Sequence, residues 1–124
     1  MAVSPLSSLN LAVIAGELPA DPVRRELTDG RHIVQFDVAT TTPDGDRRVP
    51  VAWSDPPRAH AELSAGVQVV VVGWVQRRFF RSAGVTQSRT EVVAASVARR
   101  RQWRSVERSI TAAVQSLDEF EAER

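Results

Sequence analysis

Apolar and polar positions alternate most cleanly between Ile33 and Thr41, where Val34, Phe36 and Val38 fall on one face and Gln35, Asp37 and Ala39 on the other. That two-residue period predicts a half-buried strand. Four further stretches have strand character: Leu9 to Leu18, Arg47 to Trp53, Val67 to Phe80, and Val85 to about Arg99. Turn chemistry separates them. Pro19 and Asp21-Pro22 end the first strand, and Val23 to Leu27 can continue it as a bent second half. Thr28 to Gly30, Pro43 to Asp46 and Ser82 to Gly84 read as turns. Pro57 to Leu63 reads as a short helix, with Ser54 or Asp55 as its cap and Ser64 to Gly66 as its stop. A second helix is expected from about Trp103 to the C-terminus. The chain thus divides into an N-terminal arm (1–8), an all-β domain (9–100) and a C-terminal helical segment (101–124).

The stretch from Val67 to Phe80 is the most informative. Its start is apolar at odd and even positions alike, which predicts burial on both faces. Beyond Gly73 one face changes to Trp74, Gln76, Arg78 and Phe80. Two rings with an amide and a cation between them suit a nucleic-acid strand, because rings stack on bases and guanidinium groups attract phosphates. The same rings could instead pack in a core or an oligomer interface, which is the expectation for Phe79 and stays open for Trp74.

With 124 residues and 43% apolar content, one soluble globular domain is expected. The chain has no Cys, and His32 and His60 are widely separated, so neither thiol chemistry nor a metal constellation is suggested, and no cofactor is expected. There is no P-loop and no nucleophile-elbow motif, so an enzyme is not expected. No apolar run is long enough to span a bilayer, and Met1 to Pro5 lack the features of a signal peptide, so a cytoplasmic location is expected. Net charge is only +1, but its distribution is uneven: all 16 basic residues are Arg, and eight of them lie between Arg77 and Arg104 with a single acid, Glu91, whereas acids crowd after Leu117. A GC-rich genome accounts for the arginine bias more readily than function does, although arginine also offers bidentate phosphate contacts and stacking that lysine lacks.

The order of these pieces resembles the bacterial single-stranded DNA-binding protein family, an OB-fold family. The resemblance rests on Asn10, Gly16, Leu18, Asp21-Pro22, Arg25, Gly30 and Ala39-Thr40, and resumes from Gly66 through Thr90-Glu91-Val92-Val93. It implies a five-stranded OB barrel with a short helix between its third and fourth strands, a homodimer or homotetramer, and work in replication, recombination or repair. Phe80 falls where the family carries a base-stacking tryptophan, and Trp53 where it carries a base-stacking phenylalanine. Trp53 also shares its face with Val49 and Val51, so a core position is the alternative. Two rings that the family usually has are replaced by Thr41-Thr42-Pro43 and by Arg47. Arg47, Arg48, Arg77, Arg78, Arg81 and Arg89 are the cations within reach of such a groove, and Asp37 would oppose a phosphate there. Binding should then be weaker and more sensitive to salt than is usual in the family.

The C-terminal segment departs furthest from the family, which carries a long disordered tail with an acidic tip. Here Trp103, Val106, Ile110, Ala113, Leu117 and Phe120 recur at spacings of three and four, a two-heptad seam. Its charges oppose the helix dipole, with Arg101, Arg104 and Arg108 at the start and Asp118, Glu119, Glu121 and Glu123 at the end. Such a helix needs a surface to pack on: its own barrel, a second copy lying antiparallel, or another protein. Two functions are therefore expected as alternatives. One is coating of single-stranded DNA, with RNA as a possible substitute; the other is an OB-fold interaction module that docks a partner through the helix.

Overall fold

The structure is a computed structural model and describes residues 8–57 and 63–122. Among the described residues six strands and one helix follow in order: β1 (Ala12–Glu17), β2 (Val23–Glu26), β3 (His32–Thr42), β4 (Gly45–Ser54), β5 (Gln68–Ser82), β6 (Val85–Arg99) and α1 (Trp103–Ala122). The sheet order is β1-β5-β6-β4-β3-β2, and a further pairing of Glu17 in β1 with Ala39 in β3 brings the sheet round into a barrel-like ring. β4 and β6 run parallel; every other pairing is antiparallel. Of the expected short helix, residues 58–62 lie outside the described residues, as do residues 1–7 of the expected arm. No described helix is long and apolar enough to cross a membrane.

Closure depends on one small residue. Gly16 sits where the ring narrows, and a Cβ there would run into the Ala39 carbonyl oxygen. β2 then carries the chain onward along β3, pairing Val23 to Glu26 with Gln35 to His32, so the bent continuation expected after Pro22 forms. β1 itself is shorter than the sequence pattern predicts, starting at Ala12 rather than Leu9. Asn10 explains the difference. Its side-chain amide accepts a hydrogen bond from the Val75 N–H (2.9 Å) and donates one to the Val75 carbonyl (2.7 Å). A side chain thus supplies the two bonds that a further ladder residue would otherwise make.

Inside the ring lie Val34, Phe36 and Val38 from β3, Val51 and Trp53 from β4, Val69 and Val71 from β5, and Val92 and Ala94 from β6, sealed by Leu18 and Leu63. The start of β5 is buried on both faces, as its valine run predicts, because α1 covers the outside: Val70, Ala98 and Val106 form a second small cluster there. A bulge helps β6 serve both surfaces. Val72 faces Ser96 but Gly73 faces Ala94, so Ala95 is left over and the inward set switches from Val92 and Ala94 to Val97.

Beyond Gly73 the β5–β6 pair leaves the barrel as a two-stranded ribbon, closed by the turn at Ala83-Gly84. Both central turn residues have positive φ, 52° at Ala83 and 78° at Gly84, the conformation of a type I′ hairpin. The opposite hairpin, between β3 and β4, turns at Pro43-Asp44 and is fastened by Arg47, whose guanidinium donates to the carbonyls of Asp46 (2.8 Å) and Asp44 (3.2 Å).

The expected seam on α1 divides. Val106 and Ala113 are buried against the barrel, and Phe120 is half-buried, whereas Trp103, Ile110 and Leu117 are 64%, 41% and 49% exposed. The reason is the width of the docking face. Ser109 and Ser116, on the same side as Val106 and Ala113, are half-buried, and the Ser109 hydroxyl bonds that of Ser96 (3.1 Å). Small residues let the helix sit close on that side and turn the large ones away from the sheet.

Candidate nucleic-acid interface

Outward-facing residues of β3, β4 and β6 form a shallow groove of about 370 Å³ bordered by the start of β2. Alternation sets its floor. Gln35 and Asp37 on β3 stand beside Ala52 and Pro50 on β4, while the inward residues between them hold the core. Arg25, Arg48 and Arg89 line the groove from three different strands. Arg25 reaches Gln35 at 3.4 Å, and Arg89 approaches Asp37 at 3.9 Å with both side chains partly exposed. So loose a pair in solvent contributes little to stability, and an incoming anion could displace Asp37 from it.

The ribbon borders this groove. Trp74, Gln76, Arg78 and Phe80 share one face of β5 and stand opposite Val93, Glu91, Arg89 and Gln87 of β6. At the centre of that face Glu91 is buried, with 3% exposure, and its Oε1 accepts hydrogen bonds from Arg78 Nε (2.8 Å) and Gln76 Nε2 (3.4 Å). The Arg78 guanidinium also lies 5.2 Å from the centroid of the half-buried Phe80 ring. Arg78 and Arg89 therefore face each other as like charges, an unfavourable cross-strand pairing relieved by a carboxylate beside each one. The other face of the ribbon repeats the ring–cation contact, with Arg77 lying 5.7 Å from the ring centre of the exposed Phe79 and its Nε bonding Ser88 Oγ (3.3 Å).

Several residues expected at the site are placed elsewhere. Trp53 belongs to the core and is 7% exposed, so its ring is not open to a ligand; alternation with Val49 and Val51 settles the choice that the sequence left open. Trp74 is 43% exposed at the base of the ribbon, where it lines a cleft with Leu9 and Ala113 rather than the arginine groove. Arg47 holds its own hairpin, as described, and Arg81 does the same at the far turn, donating to the Gly84 carbonyl (2.8 Å). Phe79, expected in a core or an oligomer interface, is 66% exposed, so it does not lie in the core of the chain. The structure brings together Arg48, Arg89, Arg78, Gln76 and Phe80, and adds Arg25 and Gln35, which the chain pattern alone did not mark as groove residues. The pairing of Arg25 with Ile33 across β2 and β3 was the available signal, and it required knowing that β2 folds back along β3.

Among the described residues no cluster of three or more acidic or histidine side chains could hold a metal ion. Arrayed cations, amides and a ring on an open face can attract and stack on a polyanion. Comparison with known proteins finds no family model that matches this chain and no curated protein that matches it.

Proposed function

We propose that this chain is a diverged OB-fold protein that binds single-stranded DNA without strong sequence preference. The observation that carries the reading is the groove on the outer β3–β4 face, lined by Arg25, Arg48 and Arg89 and flanked by a projecting ribbon that displays Arg78 and Phe80. In OB barrels this face, together with the loops beside it, is where oligonucleotides lie. The ring order with one parallel contact between β4 and β6 supports the same fold. Arg48 and Arg89 take phosphates, Phe80 stacks on a base, and Gln35 and Gln76 offer amides to base edges. Binding of this kind is tolerant of sequence because every base has a π-face. A homo-oligomer acting in replication, recombination or repair fits this role.

The test is anisotropy of a labelled oligo-dT titrated with the protein across a salt series. Affinity should fall as salt rises, with a logarithmic slope of about 0.7 per phosphate neutralised. Arg48→Ala and Arg89→Ala should each lower that slope, whereas Arg47→Ala, on the hairpin, should not. No binding at low salt, or binding with no salt dependence, overturns the reading.

A second reading draws on a different observation. Arg47 and Arg81 bond hairpin carbonyls and Arg78 bonds Glu91, which reduces the charge free for phosphates, while α1 exposes a row of large apolar side chains. On that reading the barrel serves as a scaffold and the helix docks another protein.

A further inference from the structure

The exposed side of α1 carries four large apolar residues, Trp103, Ile110, Val114 and Leu117, with exposures of 64%, 41%, 51% and 49%. Their spacings of seven, four and three place them on a single stripe. The helix is already docked on its barrel through Val106 and Ala113, so this stripe is surplus to folding. It borders a groove of about 850 Å³ lined by Trp103 and Ile110 of α1, Ala15 and Gly16 of β1, and Arg47 and Arg48 of β4. The neighbouring Val13 of β1 is also exposed, at 48%.

We infer that the stripe is the contact between two copies of this chain, paired antiparallel about a two-fold axis near Ile110. The charge pattern selects this occupant. The first turn of α1 has no acid and its last turn no base, against the helix dipole on both counts. In an antiparallel pair, Arg101 and Arg104 of one copy lie beside Asp118, Glu119 and Glu121 of the other, and each dipole end meets charge of the favourable sign. The same axis sets Trp103 of one copy against Leu117 of the other, seven residues to either side of Ile110. Only a partner with the reverse charge order and matching apolar spacing satisfies both conditions, and a second copy of this helix is such a partner. The contact is isologous, so it closes on itself as a dimer. It does not rest on the strand-binding reading.

Sedimentation equilibrium of the full chain over about 1–500 µM tests it, a range that spans weak to moderate self-association. A monomer–dimer equilibrium is expected. Leu117→Glu should weaken it by roughly tenfold or more, as loss of a central interface anchor does, with the circular dichroism spectrum unchanged because Leu117 does not contribute to the buried face. Arg104→Glu and Asp118→Arg should each weaken the dimer, and the double variant should restore it by exchanging the two charges on both copies. A monomer at every concentration overturns the proposal. So does a dimer that ignores Leu117→Glu, or one that the double exchange fails to restore. Titration with oligo-dT on the same variants separates the two questions, since strand affinity per monomer should be retained in Leu117→Glu whether or not the dimer forms.

Discussion

Replacing Arg78 with Met tests how the ribbon is held together. The substitution keeps an apolar stem over Phe80 but removes the 2.8 Å bond to Glu91, whose side chain is 2% exposed. Breaking a fully buried pair costs about 3–5 kcal/mol, because a charge is left without compensation. Arg78 is 38% exposed, so water can reach the gap and part of that cost is recovered; Gln76, at 3.4 Å, keeps one weaker bond to the carboxylate. The expected loss is therefore about 2 kcal/mol, in the range for hydrogen bonds to charged groups. For a chain of this size that corresponds to a fall of roughly 6–10 °C in Tm. Thermal and urea unfolding followed by circular dichroism would measure it. Glu91→Leu should cost less than Arg78→Met, since it leaves a partly exposed cation rather than a buried anion unpaired. A double-mutant cycle should show coupling of about 1–2 kcal/mol. If Arg78→Met unfolds within about 0.5 kcal/mol of the unaltered protein, the ion pair does not organise the ribbon and the argument fails. The same variant bears on function: since Glu91 already neutralises Arg78, its removal should change the salt slope of strand binding less than removal of Arg48.

Other expectations follow from particular contacts. Asp37→Asn should raise affinity for oligo-dT by roughly two- to fivefold, the scale of an exposed ion pair, because it frees Arg89 and removes a charge that opposes phosphate; unchanged or weaker binding by anisotropy would place the strand elsewhere. Ala83→Asn should stabilise the protein by up to about 1 kcal/mol, since alanine is disfavoured at the positive φ of a type I′ turn and asparagine tolerates it; a lower urea midpoint would contradict this. Gly16→Ala should destabilise by about 2–4 kcal/mol, because the new methyl meets the Ala39 carbonyl at the point of closure; denaturant unfolding measures it, and a near-neutral result would mean the β1–β3 contact is dispensable. Asn10→Ala should cost about 1–2 kcal/mol for two lost bonds to Val75, and amide exchange at Val75 should accelerate.

Local pattern was enough to determine most of the strands, the two tight hairpins and the C-terminal helix, though not where β1 begins. Alternation, glycine and proline turns and a three–four spacing each act over a few residues, and they hold whatever the chain later packs against. The valine run of β5 even announced that both its faces would be covered. Pattern could not decide which residues meet across the fold. Trp53 carries the chemistry of a stacking ring but lies inside because Val49 and Val51 fix its side of β4. Arg47 and Arg81 look like phosphate ligands but fold back on their own turns. Glu91, one acid among many arginines, becomes the buried centre of the ribbon only when β6 pairs in register with β5. The helical seam reads as one face in sequence, yet it splits because serine and alanine permit closer approach to the barrel than tryptophan or leucine do. These outcomes depend on register, closure and the depth of packing, which arise between segments distant in the chain. Tertiary structure therefore decided which arginines remain open to a ligand and which apolar side of the helix is left for a partner.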